Sequence, residues 1–206
     1  TPTTSSAASD VYKRQVATPL KIIKKARISS FDKVGVIGAG GGLGIHMLKM
    51  LKLNNISAIG IDTKTEKFNT CNENGAEFSV SPMENDLKNK IADFSKSNDL
   101  DIVIDFVSSK SSLELGCSIL GKGGRLVTLG GSGEQFLANS ADMLVKELEL
   151  IGSRYCTKQE LKDSLDLYAR GLIEPLVSVK TDFDGAEDLH DKIEKGEITG
   201  RAGILI

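Results

Sequence analysis

Tryptophan is absent from the 206 residues, prolines number four and histidines two. The three cysteines, Cys71, Cys117 and Cys156, are scattered, odd in number and form no CxxC pair. That excludes a disulfide framework and a self-contained zinc site, and it suits a reducing, cytoplasmic compartment. No apolar run approaches the roughly 18 residues that a membrane span needs. Neither sign of charge dominates: 26 Lys and Arg stand against 28 Asp and Glu, for a net charge of −2. Without a basic field to hold phosphate backbones, nucleic acid is not an expected partner. What is present is a globular composition, 40% hydrophobic and 26% charged, with 21 glycines. The length fits one domain, or one domain plus an extension.

The first residues stand apart. SSAASDVYKRQ, residues 5–15, resembles the in-frame translation of a sequencing-library adapter. Residues 1–15 are therefore read as a non-native tail, with native sequence expected from about Val16. No apolar segment follows the start, so no secretory signal is read there.

From Thr18 the pattern alternates between helix and strand. Thr18-Pro19 reads as N-cap and first helical residue, opening a helix to about Ile28. Strands are expected at 34–37, 56–61, 78–80, 102–106, 125–129 and 148–152. Helical spacing fills most of the gaps, as in Leu87, Ile91 and Phe94. Ile102–Phe106 is continuously apolar, as a parallel strand covered on both faces should be. Six strands separated by helices argue for an α/β, doubly wound parallel sheet of the Rossmann kind. After Tyr155 the style changes. Thr157 to Glu160 has capping-box spacing before a helix, and Asp184 to Glu187 repeats it. Short strands are expected at 177–180 and 201–205. Residues 16–156 thus read as one dinucleotide-binding domain and 157–206 as a separate C-terminal segment. Leu161, Leu165 and Tyr168 form an apolar stripe in want of a partner, and the strand at 177–180 is expected to lack neighbours.

Between the first strand and its helix lies Gly38-Ala-Gly40-Gly41-Gly42-Leu43-Gly44. Glycines let a backbone approach phosphates, and a helix N-terminus offers free N–H groups and a positive dipole end. The spacing that fits is Gly38-x-x-Gly41-x-x-Gly44. Asp62 closes the next strand, where an acid can accept both hydroxyls of an adenosine ribose and repel a 2′-phosphate. The pair favours NAD, while Lys64 and Lys67 nearby keep NADP open.

At this point the chain resembles the medium-chain dehydrogenase/reductase family, the zinc-type alcohol dehydrogenases with their quinone- and enoyl-reductase relatives. The match is carried by VGVIGAGGGLGIHMLKMLK (34–52), IGID (59–62), NGAEFSV (74–80), DIVIDFV (101–107), GKGGRLVTLGG (121–131), KELELIGSRY (146–155) and the final GRAGILI. The resemblance implies a pyrophosphate on Gly41, Gly42 and Gly44, with Leu43 behind the nicotinamide. It implies Asp62 and Lys67 at the adenosine ribose, and Phe106 and Val107 walling the path between the two halves of the cofactor. Leu129, Gly130, Ser153 and Tyr155 would line the carboxamide side. Arg201 would reach the pyrophosphate, and Thr18 would stand beside the nicotinamide, unless it is a plain N-cap. The family's catalytic domain would precede Val16, so no catalytic residue is assigned and no metal is expected in this chain. Whether the parent uses zinc stays open. The C-terminal segment would return to that missing domain. The parent is implied to be a homo-oligomer acting on a small-molecule substrate.

His46 reads as a surface or packing residue. Lys21, Lys24, Lys25 and Arg27 form a basic helix face, either solvated or turned to an anionic substrate tail such as coenzyme A. The function expected is hydride transfer between nicotinamide and an alcohol or carbonyl by an enzyme of which this chain is a fragment. An enoyl- or quinone-type reductase, a methyltransferase and a non-enzymatic dinucleotide-binding module are the competing readings.

Overall fold

In the computed structural model, which describes residues 15–97, 99–131 and 133–205, the apolar runs lie side by side as parallel strands. In chain order the elements are α1 (Ala17–Lys25), β1 (Lys33–Ile37), α2 (Gly42–Leu53), β2 (Ser57–Ile61) and α3 (Phe68–Glu73). They continue as β3 (Ser79–Val80), α4 (Leu87–Ser95), β4 (Leu100–Asp105), α5 (Lys110–Ser118), β5 (Leu120–Thr128), α6 (Ser140–Lys146) and β6 (Glu149–Gly152). The last four are α7 (Lys158–Ala169), β7 (Val177–Thr181), α8 (Ala186–Glu194) and β8 (Arg201–Ile204). The strand order is β3-β2-β1-β4-β5-β6, and each neighbouring pair is parallel. This is a Rossmann sheet, with its order reversing between β1 and β4.

Alternation along the strands divides the core into two layers. Val34, Val36, Ile102, Ile104 and Val127 pack on one face with Ile22 of α1 and Ile45, Leu48 and Leu51 of α2. Ile37, Ile59, Val103 and Leu126 pack on the other with Leu87, Ile91 and Phe94 of α4 and Leu113 of α5. Both faces are covered, which is why β4 reads as an unbroken apolar run. Each fully buried Ile or Leu contributes about 1.5–3 kcal/mol relative to exposure.

Several local expectations are corrected. Val16, not Thr18, is the N-cap of α1, and Thr18 is buried inside the first turn. The capping box at Thr157 forms, with both Thr157 and Glu160 bonded reciprocally. The repeat at Asp184 does not: α8 is capped by Gly185, whose N–H donates to Asp182 instead. The buried face of α7 is not Leu161, Leu165 and Tyr168. Ser164 is fully buried, Glu160 nearly so, and Leu165 is 45% exposed. Helix α7 lies against α1, and Leu167 and Tyr168 pack with Val16, Met50 and Ile173. The strand at 177–181 does have a neighbour, pairing in parallel with β8 as a two-stranded sheet of its own. The basic face of α1 is spent on tethers. Lys21 and Lys25 donate to the carbonyls of Arg154 and Gly152, Lys24 pairs with Asp163, and Arg27 pairs with Glu149. The tail read at residues 1–15 lies outside the described residues, except for Gln15, which is buried.

Candidate functional site

The order reversal between β1 and β4 splays the two crossovers apart and leaves a groove at the carboxyl ends of the strands. Its floor is the glycine turn. Gly38 sits at φ +75°, a conformation that L side chains rarely adopt, and its N–H bonds to Ile61 while its carbonyl receives Gly41. A Cβ on Gly44 would stand 2.2 Å from the Gly38 carbonyl oxygen and 2.6 Å from that of Ala39. Both obstacles are backbone, so the helix meets the turn at a distance only glycine allows. Gly41 caps α2 without a side-chain hydrogen bond, leaving the first N–H groups of the helix to the groove.

Two hollows share Gly38, Asp62 and Val107 and together form the groove. One, of about 300 Å³, is lined by Gly38, Gly41, Gly42, Leu43, Gly44, Asp62, Lys67, Phe106, Val107 and Arg201. The other, of about 340 Å³, runs on between Ile61, Thr63, Pro82 and Met83 on one side and Val107, Ser109, Ser112 and Leu115 on the other. Ten of the expected residues therefore meet in one place.

Asp62 is held rigidly there. One carboxylate oxygen accepts the N–H of Gly40 at 2.8 Å, and the other accepts that of Lys64 at 3.0 Å. Beside it Lys67 is almost fully buried and donates to the carbonyl of Ile198 at 2.9 Å. Arg201, at the start of β8, lies over the first turn of α2: a Cβ on Gly42 would be 2.2 Å from its Nε. The C-terminal segment thus reaches the groove, and Gly200 donates to the carbonyl of Gly40 at 3.1 Å.

The remaining expected residues stand elsewhere. Leu129 and Gly130 follow β5, and Gly130 donates to the Ser108 hydroxyl at 2.8 Å. Ser153 follows β6 and its N–H bonds to Thr128, but its buried hydroxyl oxygen has no hydrogen-bond partner among the described residues. Tyr155 is half-exposed at φ +53°, with the Arg154 guanidinium 4.7 Å from its ring centre. Thr18 lines neither hollow.

Residues not expected from the sequence hold the other wall. Asp105, the last residue of β4, is fully buried. It accepts from the N–H groups of Val107 and Ser108 at 2.8 and 2.9 Å and from the Ser112 hydroxyl at 2.7 Å. Ser108 in turn meets the Thr128 hydroxyl at 2.6 Å. An acid closing an otherwise apolar run was the available signal. His46 is buried too, and burial, with Lys49 and Arg201 nearby, lowers its pKa to about 4. Burial also pushes the Cys71 thiol up to about 11, which makes it inert.

Among the described residues, the one group of three His, Cys, Asp or Glu side chains within reach of a common ion is His190, Asp191 and Glu194, exposed on α8. That set carries no thiolate and does not resemble a closed or catalytic zinc site.

The model of the family described as zinc-binding dehydrogenase matches residues 42–170. An NAD-dependent alcohol dehydrogenase of Sulfurisphaera tokodaii is 25% identical over 185 residues, 89% of this chain and 53% of the relative. An acryloyl-coenzyme A reductase of Metallosphaera sedula is 26% identical, over 85% of this chain and 52% of the relative. The chain therefore spans about half the length of the curated relatives it matches. Among solved structures, the acetophenone reductase of Geotrichum candidum, solved with NAD, superposes with a TM-score of 0.79 at 27% identity, over 96% of this chain and 55% of that one. An Escherichia coli alcohol dehydrogenase solved with NADH has the same fold, with a TM-score of 0.85 at 20% identity over 100% of this chain and 61% of that one. With the family model covering well over half of its residues, the chain belongs to the zinc-binding dehydrogenase family.

Proposed function

We propose that the chain is the dinucleotide-binding part of an NAD-preferring oxidoreductase that transfers a hydride between nicotinamide and an alcohol or carbonyl substrate. The observation that carries this is the groove at the order reversal, with the Asp62 carboxylate at one end and, beside it, Arg201 over a helix N-terminus that no side chain caps. An ionised carboxylate has about four acceptor sites. Asp62 uses two on Gly40 and Lys64 and keeps others for two ribose hydroxyls. Its charge disfavours a 2′-phosphate. The N–H groups of Gly42, Leu43 and Gly44, with the Arg201 guanidinium, hold the pyrophosphate, and Lys67 supports the ribose. Phe106 and Val107 wall the path, and Leu129, Gly130, Ser153 and Tyr155 line the carboxamide side. The buried hydroxyl of Ser153, without a hydrogen-bond partner among the described residues, supports that part of the reading. Thr18 is assigned to the nicotinamide end on the resemblance alone. The nicotinamide, when bound, supplies or accepts the hydride; this chain's residues bind, orient and select it.

The relationship to an acryloyl-coenzyme A reductase favours a second reading, an enoyl-type reductase that uses the same groove. For its partners we propose a small-molecule substrate and further copies of the chain, supported by the open β6 edge with Leu150 43% exposed and Leu144 and Val145 of α6 more so. Sedimentation of the purified chain tests this. A reducing, cytoplasmic setting fits the three free cysteines.

Fluorescence titration with NADH and NADPH tests the main proposal. NADH binds more tightly, and Asp62→Ala weakens it by about 1–3 kcal/mol. Equal or tighter NADPH binding overturns the assignment of Asp62.

A further inference from the structure

The buried imidazole of His46 has no part in the functional reading above. Its two ring nitrogens bond in opposite directions. Nδ1 lies 2.5 Å from the carbonyl oxygen of Gly42, one turn back on α2. Nε2 accepts the N–H of Leu176, in the segment leading to β7, at 3.1 Å. An acceptor at Nε2 puts the proton on Nδ1, so the ring is neutral and satisfied at both ends. Leu176 itself carries the connection onward, because its carbonyl, in the next peptide unit, accepts the N–H of Arg201 at 3.0 Å. The Arg201 side chain then comes down on Gly42. The links close a ring, from Gly42 through His46, Leu176 and Arg201 back to Gly42. It joins the first turn of the glycine-loop helix to a strand near the end of the chain.

Two further bonds hold the 198–200 turn from the other side, Lys67 to Ile198 and Gly200 to Gly40. Gly200, at φ +72°, brings this turn against Leu176, whose carbonyl oxygen would be 3.0 Å from a Cβ there. The backbone that carries Arg201 is thus pinned between the loop and the Leu176 peptide. A guanidinium gains most on a phosphate when its planar fork is set in advance, since its bonds are directional and its side chain is long.

We propose that His46 is a positioning residue: by holding the Leu176 peptide it sets where Arg201 stands over the N-terminus of α2, so that the grip of Arg201 on a phosphate depends on an imidazole that touches no ligand. This rests on the reading of the groove as a pyrophosphate site.

Variants of the full chain, titrated with ADP and with adenosine by calorimetry, separate positioning from packing. His46→Asn keeps a donor for Gly42 but is too short for Leu176. His46→Gln offers an oxygen to Leu176. His46→Asn and Arg201→Ala should each weaken ADP about tenfold and adenosine less than about twofold. In the double variant, His46→Asn should add less than about twofold to the loss from Arg201→Ala. His46→Gln should stay within about threefold of the unmodified chain. Leu176→Pro deletes the same N–H from the other side and leaves the imidazole in place. It should reproduce the His46→Asn pattern, and it keeps the test decisive if the asparagine variant does not fold. Equal losses for ADP and adenosine, or additive losses in the double variant, overturn the role of His46. If the unmodified chain binds no ADP, the pyrophosphate site itself is overturned and the role of His46 falls with it.

Discussion

Replacing Asp105 would remove the one carboxylate that holds together the wall of the groove following β4. Its Oδ1 accepts from Val107 and Ser108, and its Oδ2 accepts from Ser112. The three donors differ in what they lose. Val107 is half-exposed, and its bond to Asp105 is only partly buried. The Ser112 hydroxyl can turn to the carbonyl of Ser109, 3.1 Å away. Ser108 is buried and held at φ +54°, a conformation that non-glycine residues rarely adopt. Taking the carboxylate from its buried N–H costs about 1–3 kcal/mol. Asp105→Ala should therefore destabilise the chain by about 1–3 kcal/mol. Asp105→Asn keeps an oxygen for Val107 and Ser108 and asks only that Ser112 reverse its role, at a cost of about 1 kcal/mol. Urea denaturation of the two variants measures the difference, with midpoints compared at unchanged slope. Loss of Ser108 geometry should also free the Gly130 N–H, read as faster amide exchange. Equal destabilisation by alanine and asparagine would refute the account, because it would make the acceptor at Oδ1 irrelevant.

His46 should make stability pH-dependent. Its pKa is lowered from 6.5 to about 4, so its contribution is complete above about pH 6.5 and is lost as pH falls toward 4, up to a total on the order of 3 kcal/mol. Urea midpoints at pH 7 and pH 5 should fall further for the unmodified chain than for His46→Gln, and parallel profiles would refute this. Gly44→Ala forces a Cβ onto two backbone carbonyls, so ADP binding should drop by at least about tenfold, as titration would show. Arg125 bonds Asp32 and the carbonyls of Ala26 and Arg27 at the opposite end of the sheet, with both side chains largely buried. Arg125→Lys should cost about 1–3 kcal/mol in denaturation experiments without changing ADP affinity.

The sheet was legible because its strands obey a local rule. β4 must be apolar on both faces, and Asp62 ends β2 where the run of buried residues stops. The capping box at Thr157 is likewise a contract between residues three apart, and it forms. Where a helix face depends on a distant neighbour, local reading fails. The spacing of Leu161, Leu165 and Tyr168 is a valid stripe, yet the fully buried position of the helix is Ser164, and Leu165 is 45% exposed. Helix α6 went unread because Leu144 and Val145 turn outward and leave no buried stripe. The topology still demanded a crossover there, since β5 and β6 run parallel.

The candidate site divides along the same line. The glycine turn and Asp62 lie within a few tens of residues of each other, and their chemistry shows in residue type and spacing. Asp105 and His46 show neither. A carboxylate at the end of a strand is ordinary until its three donors are known, and a histidine in a helix is ordinary until a peptide from the far end of the chain caps its second nitrogen. Both residues spend their hydrogen-bonding capacity on backbone that must hold an unusual shape, the left-handed turn at Ser108 and the approach of Arg201 to Gly42. Burial makes that arrangement enforceable: away from water, a missing partner costs more than a present one gains, so the backbone stays where the buried acceptor is. The groove is thus shaped by groups that need not meet its ligand, and the ring through His46 extends that control to the strand that carries Arg201.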